Sequence, residues 1–313
     1  MTARLSPLRY PGGKARMSSW LIDHLTDADP LSEVEIWCEP FAGGAGAGLQ
    51  AVHTGAVEEL WLIEADPALV AFWAAVLTDG DHLARRAETT RPTLDDFDRA
   101  QEILSTAVSD HSDTFELGWS AFLINRCSRS GLINTTVGPI GGRAQAGRYT
   151  VTSRYNGPAL ADRIRAITAM RHRLRIICGN GIDYLSELNG SGIGTEVFAF
   201  IDPPYIAAGP RLYSQPMTAA EHERLAAVLA ELVESPWVLT YDARPRISDL
   251  YRFAHITAFD IPHTAGRQHI GCEYLITPAQ LAPPAANPLG RGGIHTVHDP
   301  GTAHMPSTHE RTS

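Results

Sequence analysis

Six short apolar runs, rich in β-branched and aromatic residues, recur along the chain: Val34–Cys38, Leu60–Ile63, Leu174–Cys178, Val197–Ile201, Trp237–Thr240 and Tyr274–Thr277. Helical patterns lie between several of them. Leu69–Leu77 is one, and Leu160, Ile164, Ile167, Met170 and Leu174 form an apolar stripe at helical spacing. Thr218 and Glu221 make a capping box ahead of Leu225, Val228, Leu229 and Leu232. Strands alternating with helices imply an α/β fold around a mostly parallel sheet.

One stretch breaks the rhythm. Gly80–Gly157 begins with acidic helical patterns and turns rich in Gly, Arg, Ser and Asn. We read it as an insert between the second and third units of the sheet. The 313 residues suit about two domains, or one domain with a large insert, at roughly 100–200 residues each. Residues 1–79 and 158–278 then form one domain and 80–157 the insert. The last 36 residues, from Pro278, hold six prolines, four glycines and four histidines, so 279–313 is expected to be a disordered tail. His295, His298, His304 and His309 are irregularly spaced there, as in a solvated tail rather than a metal site.

Composition excludes other classes. No apolar run approaches the ~18 residues that span a bilayer, and Met1–Lys14 holds no signal-peptide core. Cys38, Cys127, Cys178 and Cys272 stand far apart with no Cys-x-x-Cys pair, which argues against a zinc site or a disulfide framework. A cytoplasmic protein with reduced thiols is expected. The net charge of −9 hides a polarity: Ser120–Arg175 holds ten arginines and one acid, Asp162, so it carries +9 and the rest −18. Such a block is either an electrostatic footprint for phosphates or a solvated helical face. The chain has 25 arginines but a single lysine, Lys14.

Glu39-Pro40-Phe41-Ala42-Gly43-Gly44-Ala45-Gly46 follows the first apolar run and precedes a helical pattern. Glycines there let the backbone turn tightly and approach a ligand. Glu64 ends the next strand, with Asp66 two residues on. An acid at a strand tip can accept hydrogen bonds from ribose hydroxyls. The pair points to a nucleoside-containing cofactor without separating a nicotinamide dinucleotide from S-adenosylmethionine. The spacing of Gly44, Gly46 and Gly48 misses the dinucleotide pattern.

The sharpest signal is Phe198-Ala199-Phe200-Ile201-Asp202-Pro203-Pro204-Tyr205. A buried strand ends in an acid, two prolines and an aromatic. The prolines fix φ and remove two N–H donors, so the tip is rigid and rich in acceptors. At the carboxyl end of a parallel strand it faces the ligand crevice. An exocyclic amine needs two acceptors, which the Asp202 carboxylate and the Pro203 carbonyl can supply. Tyr205 offers a flat face to a base.

Together these residues resemble the Dam-type, D12 class, DNA adenine-N6 methyltransferases. The similarity covers about residues 8–277 and includes Arg9-Tyr10-Pro11-Gly12-Gly13-Lys14, Glu64-Ala65-Asp66-Pro67, Phe122-Leu123-Ile124-Asn125-Arg126 with Gly131-Leu132, Asp183, and Glu273. The resemblance implies a Rossmann-like methyltransferase sheet with an inserted, mostly helical target-recognition domain. It implies that Tyr10, Lys14, Phe41, Gly43 and Asp183 touch S-adenosylmethionine and that Glu64 holds its ribose, where the family usually has Asp. It implies double-stranded DNA as the partner. Asn125, Arg126, Arg129, Leu132, Arg143 and Arg148 become the DNA-facing candidates. The loop Cys127–Leu132 lacks the aromatics of the enteric enzymes, a departure that bears on recognition of GATC and not on the chemistry. A cognate restriction endonuclease is a further partner that the sequence leaves open.

The implied chemistry fits the motif. The N6 lone pair of adenine is delocalised, and acceptors on both of its hydrogens favour a pyramidal, nucleophilic nitrogen. No metal is needed. The base must leave the duplex to be reached, with Tyr205 the expected stacking surface and Leu132 a candidate wedge. Methylation of RNA or protein glutamine goes more often with Asn-Pro-Pro-Tyr, and cytosine-N4 methylation with Ser-Pro-Pro-Tyr, so Asp202 argues against both. A non-catalytic DNA-binding relative would need none of Lys14, Asp183 and Asp202.

Overall fold

The structure is a computed structural model, which describes residues 5–9, 14–27, 34–106, 113–206, 216–263, 269–290 and 292–300. Five strands run parallel: β1 (Ile36–Glu39), β2 (Glu59–Glu64), β3 (Leu174–Cys178), β4 (Val197–Ile201) and β5 (Trp237–Asp242). Two long strands, β6 (Ala254–His263) and β7 (His269–Pro278), form an antiparallel hairpin that docks through β7 on β5. A short strand, β8 (Ile294–His298), pairs antiparallel with β6. The order across the sheet is β3-β2-β1-β4-β5-β7-β6-β8. The order reverses between β1 and β4, and a parallel sheet opens its ligand crevice at the carboxyl ends of the strands at such a point.

The runs of β1, β2, β4 and β5 are buried on both faces, so neighbouring residues serve different cores, while β3 at the sheet edge is only partly covered. Trp37, Leu60, Leu62, Phe198 and Phe200 face one core. Ile36, Cys38, Trp61, Ile63, Val197, Ala199 and Ile201 face the other. The first is covered by α1 (Ser18–Asp27), α2 (Gly46–Thr54), α3 (Pro67–Thr89), α4 (Leu94–Thr106), α5 (Thr114–Cys127) and α6 (Gly157–Ala169). The second is covered by α7 (Gly181–Leu188) and α8 (Ala219–Glu231), whose capping box from Thr218 and Glu221 is formed as expected. Among the described residues no helix is long and apolar enough to cross a membrane.

The expected boundary at residue 80 falls inside α3, where only Asp79 departs from helical geometry (φ −140°, ψ 41°). Gly80 sits so close to α6 that a Cβ there would lie 2.0 Å from Thr168 Oγ1, and a Cβ on Gly118 of α5 would lie 2.5 Å from the Ala71 carbonyl. Phe97, Leu104, Trp119 and Phe122 join the same core as Trp37 and Leu49. The helices of the insert are therefore a layer of the main body. Its distinct part is the run of turns over residues 128–156.

The tail expectation is corrected over its described part. Leu281 is 2% exposed, Asn287 donates to the Asp260 and Gly293 carbonyls at 3.2 and 3.0 Å, and Gly293 N donates to Asp260 Oδ2 at 2.7 Å. These anchors bring β8 onto β6, and two of the tail histidines, His295 and His298, belong to that strand. The prolines and glycines shape turns between the anchors. His304 and His309 lie outside the described residues.

Candidate active site

β4 is buried along its whole length and delivers Asp202 at its carboxyl end. β1, its parallel neighbour, delivers Glu39. Three donors converge on Asp202 Oδ1: Thr240 Oγ1 from β5 at 2.6 Å, Tyr205 Oη at 3.0 Å and Lys14 Nζ at 3.1 Å. Asp202 lines the cleft. Lys14, in the short turn before α1, is 5% exposed; its ammonium also donates to Tyr205 Oη at 2.8 Å and pairs with Glu273 Oε2 of β7 at 3.3 Å. The Tyr205 hydroxyl has one proton and two acceptors in reach, Asp202 Oδ1 and Glu273 Oε2, the latter at 3.2 Å. Its ring packs beside Tyr241, centroids 5.7 Å apart.

Burial disfavours the Lys14 charge, but Asp202 and Glu273 outweigh it and hold its pKa above the ordinary range. Burial pushes the Glu273 carboxyl up, against the pull of Lys14. Glu39 is buried and accepts from Gly48 N at 2.7 Å and Trp37 Nε1 at 3.2 Å through one oxygen; burial, with Asp202 adding to it, raises its pKa to about 8.

The cleft is open to solvent. Phe41, Gly43, Glu64, Asn180, Asp202 and Pro204 line it, with Leu132 and Ile133 among the others. The glycine loop is shaped for close approach: Gly43 has φ +45° and its N–H donates to Glu64 Oε2 at 3.0 Å. Asp66 N donates to the other Glu64 oxygen at 2.9 Å. Burial nonetheless raises the Glu64 carboxyl to about 7. Gly181 brings α7 against the loop, since a Cβ there would lie 2.0 Å from the Pro40 carbonyl.

Several sequence candidates stand elsewhere. Asp183 does not line the cleft; its half-exposed carboxylate pairs with Arg224 of α8 at 2.5 Å. The wall there is Asn180, whose side chain caps α7 through Ile182 N at 2.8 Å. Asn125 is fully buried and cannot face DNA. It accepts from Arg9 N at 2.7 Å and donates to the Arg9 and Gly131 carbonyls at 2.7 and 2.6 Å. It thus clasps the N-terminal segment to the loop that brings Leu132 and Ile133 to the cleft. Arg126 is turned inward, donating to the Pro7 and Arg154 carbonyls, and burial lowers its pKa to about 10. Arg143 Nη1 donates to both carboxylate oxygens of Asp98. Arg129 and Arg148 are exposed and, with Arg154 and Tyr149, line a second, shallower pocket. Tyr10 lies outside the described residues.

The sequence profile of the D12 class N6 adenine-specific DNA methyltransferases matches residues 10–265. The chain belongs to this family. It is accordingly an enzyme that uses S-adenosylmethionine to methylate N6 of adenine in DNA. No curated protein matches the chain at a significant level. Among solved structures, two of the rRNA methyltransferase aviRa from Streptomyces viridochromogenes are similar. One shows 13% identity over 90% of this chain and 92% of that one, with a TM-score of 0.40. The other shows 14% identity over 88% and 90%, with a TM-score of 0.38.

Within the D12 methyltransferase site, sequence reasoning assigned no role to Glu39, Asn180, Thr240 or Glu273. The available signals were acids at or inside apolar strands and a threonine ending the run Trp237–Thr240.

Proposed function

We propose that the cleft takes S-adenosylmethionine along the Phe41–Gly43–Glu64–Asn180 wall and an extrahelical adenine along the Asp202–Pro204 wall. The residues fit the cofactor: an aromatic and prolines for a base, a glycine backbone for close approach, and a carboxylate for ribose hydroxyls. When bound, it supplies an electrophilic methyl group on a sulfonium sulfur. Asp183, paired with Arg224, gives way to Asn180 in this assignment.

The observation that carries the reading is that Lys14, Thr240 and Tyr205 all reach the same oxygen of Asp202, Oδ1, which fixes the carboxylate and leaves Oδ2 to meet an amine hydrogen. The Pro203 carbonyl, in a segment stiffened by two prolines, accepts the second hydrogen. The nitrogen lone pair then points along the line of attack, and Asp202 favours the positive charge that builds on nitrogen. After transfer the extra proton leaves N6 toward Asp202 or solvent. Tyr205 braces this arrangement through its hydroxyl and presents its ring near the base, and Leu132 and Ile133 meet the flipped nucleotide at the mouth of the cleft.

Residues 128–156 form the target-facing surface, with Arg129 and Arg148 as its phosphate contacts. Phosphate contacts release counterions, so log K falls with log salt by about 0.9 per contact. Arg129→Ala with Arg148→Ala is expected to flatten the slope by about two contacts. Arg143→Ala leaves it near wild type, because Asp98 already holds that side chain. An unchanged slope in the double variant places the DNA surface elsewhere.

A further inference from the structure

We propose that Glu273 is a positioning residue that stops Lys14 from neutralising Asp202, so that the catalytic carboxylate keeps negative charge for the amine it holds. The proposal rests on the reading of Asp202 as the amine acceptor.

Glu273 is 4% exposed and does not line the cleft. A carboxylate in such a place is costly unless paired. Anchoring Lys14 does not require it, since Asp202 already lies 3.1 Å from Nζ. What Glu273 adds is competition. The Lys14 ammonium is shared between Asp202 Oδ1 and Glu273 Oε2 at 3.1 and 3.3 Å, and the Tyr205 hydroxyl lies 3.0 and 3.2 Å from the same two oxygens. With both acids ionised the trio carries one negative charge. Attack by N6 forms the N–methyl bond as the sulfur–methyl bond breaks, so the positive charge that arrived on the sulfonium shifts onto N6, beside the trio. With a neutral side chain at 273 the trio is neutral, and the charge moves onto N6 without a net negative group beside it in a low-dielectric site.

The surroundings of Glu273 are specific. On β5, Asp242 stands opposite it in register and pairs with Arg244 at 3.5 Å. On β6 its opposite number is the uncharged Phe259. Beyond Asp202, Glu39 is held by Gly48 and Trp37. Lys14 is the cation bridging the two acids. Burial raises the Glu273 pKa, so on acidification it takes up a proton sooner than an exposed carboxylate does, while Lys14 stays charged. Acidified wild type should therefore behave as the Gln variant does.

The test is single-turnover methyl transfer to an unmethylated duplex, with cofactor saturating at every pH, from about pH 8 down to the lowest pH at which the enzyme stays folded, in wild type and Glu273→Gln, with calorimetric cofactor titration of both. Gln keeps an oxygen for Lys14 and Tyr205. At the upper pH the variant is expected to lose about tenfold or more in rate, with a cofactor Kd within about threefold of wild type. The wild-type rate should fall toward the variant's as pH drops, and the variant should lack that acid limb. A variant rate within about threefold of wild type at the upper pH overturns the proposal, as does an acid limb retained in the variant. If Glu273→Gln does not fold, the wild-type profile decides, and a flat one overturns the proposal. Asp202→Ala run alongside separates the levels. Full rate there overturns the amine-acceptor reading itself; loss there beside a wild-type rate in Glu273→Gln overturns the role of Glu273 alone.

Discussion

Cofactor affinity should depend on pH through Glu64. Its carboxyl is raised to about 7 by burial, despite backbone N–H donors from Asp66 and Gly43. Ribose hydroxyls donate, so the ionised form is the better acceptor, and affinity rises as pH passes upward through that value. About a tenth of the groups are ionised near pH 6 and about nine-tenths near pH 8. If binding requires the carboxylate, the Kd falls about tenfold across that span, close to 1.4 kcal/mol. The α-amino group of the ligand titrates in the same region, at about 7.7–8.0, so the wild-type curve alone is ambiguous. Glu64→Gln keeps one acceptor oxygen and removes the titration. The ratio of wild-type to variant Kd, by calorimetry at each pH, isolates Glu64. A ratio that stays flat, within about twofold from pH 6 to pH 8, refutes the reasoning.

The chain beyond β7 should contribute to stability. Truncation after Thr277 removes buried Leu281, the Asn287 anchor and the β8 pairing with β6. The expected loss is on the order of 4 kcal/mol, from about 2–3 for the leucine and about 1 for each hydrogen bond. Leu281→Ala alone should cost about 2 kcal/mol or more in urea unfolding. An unchanged midpoint in the truncated chain would show that this segment does not hold the sheet edge.

What the sequence revealed follows from what each element is made of. Strands β1, β2, β4 and β5 are buried on both faces and read as continuous apolar runs, and their tips carried Glu64 and Asp202 into view. β6 escaped notice because Thr257, Asp260 and Pro262 interrupt its apolar pattern, and β8 because it is short and two of its five residues are histidines. Asn125 was legible as part of a motif but not as a clasp, since its partner Arg9 lies 116 positions away. Asp183 reads as a cofactor ligand from its motif, and only the fold shows that α8 brings Arg224 to it. Arginine counts located the basic loop, but only the fold separates Arg143, held by Asp98, from exposed Arg129 and Arg148. The link between Lys14 and Glu273 joins the two ends of the catalytic fold, and no local pattern records it.

The central claim is that Asp202 accepts a hydrogen from adenine N6 and supports the charge of attack. It is tested most directly by single-turnover methyl transfer in Asp202→Ala, paired with cofactor titration. Removing the acceptor should cost several kcal/mol of barrier, about 10³-fold or more in rate, because the interaction strengthens in the transition state. Cofactor binding at the Phe41–Glu64 wall should survive within about threefold. Asp202→Asn, which keeps the shape and one oxygen but loses the charge, should fall between. An Asp202→Ala rate within about tenfold of wild type would contradict the account.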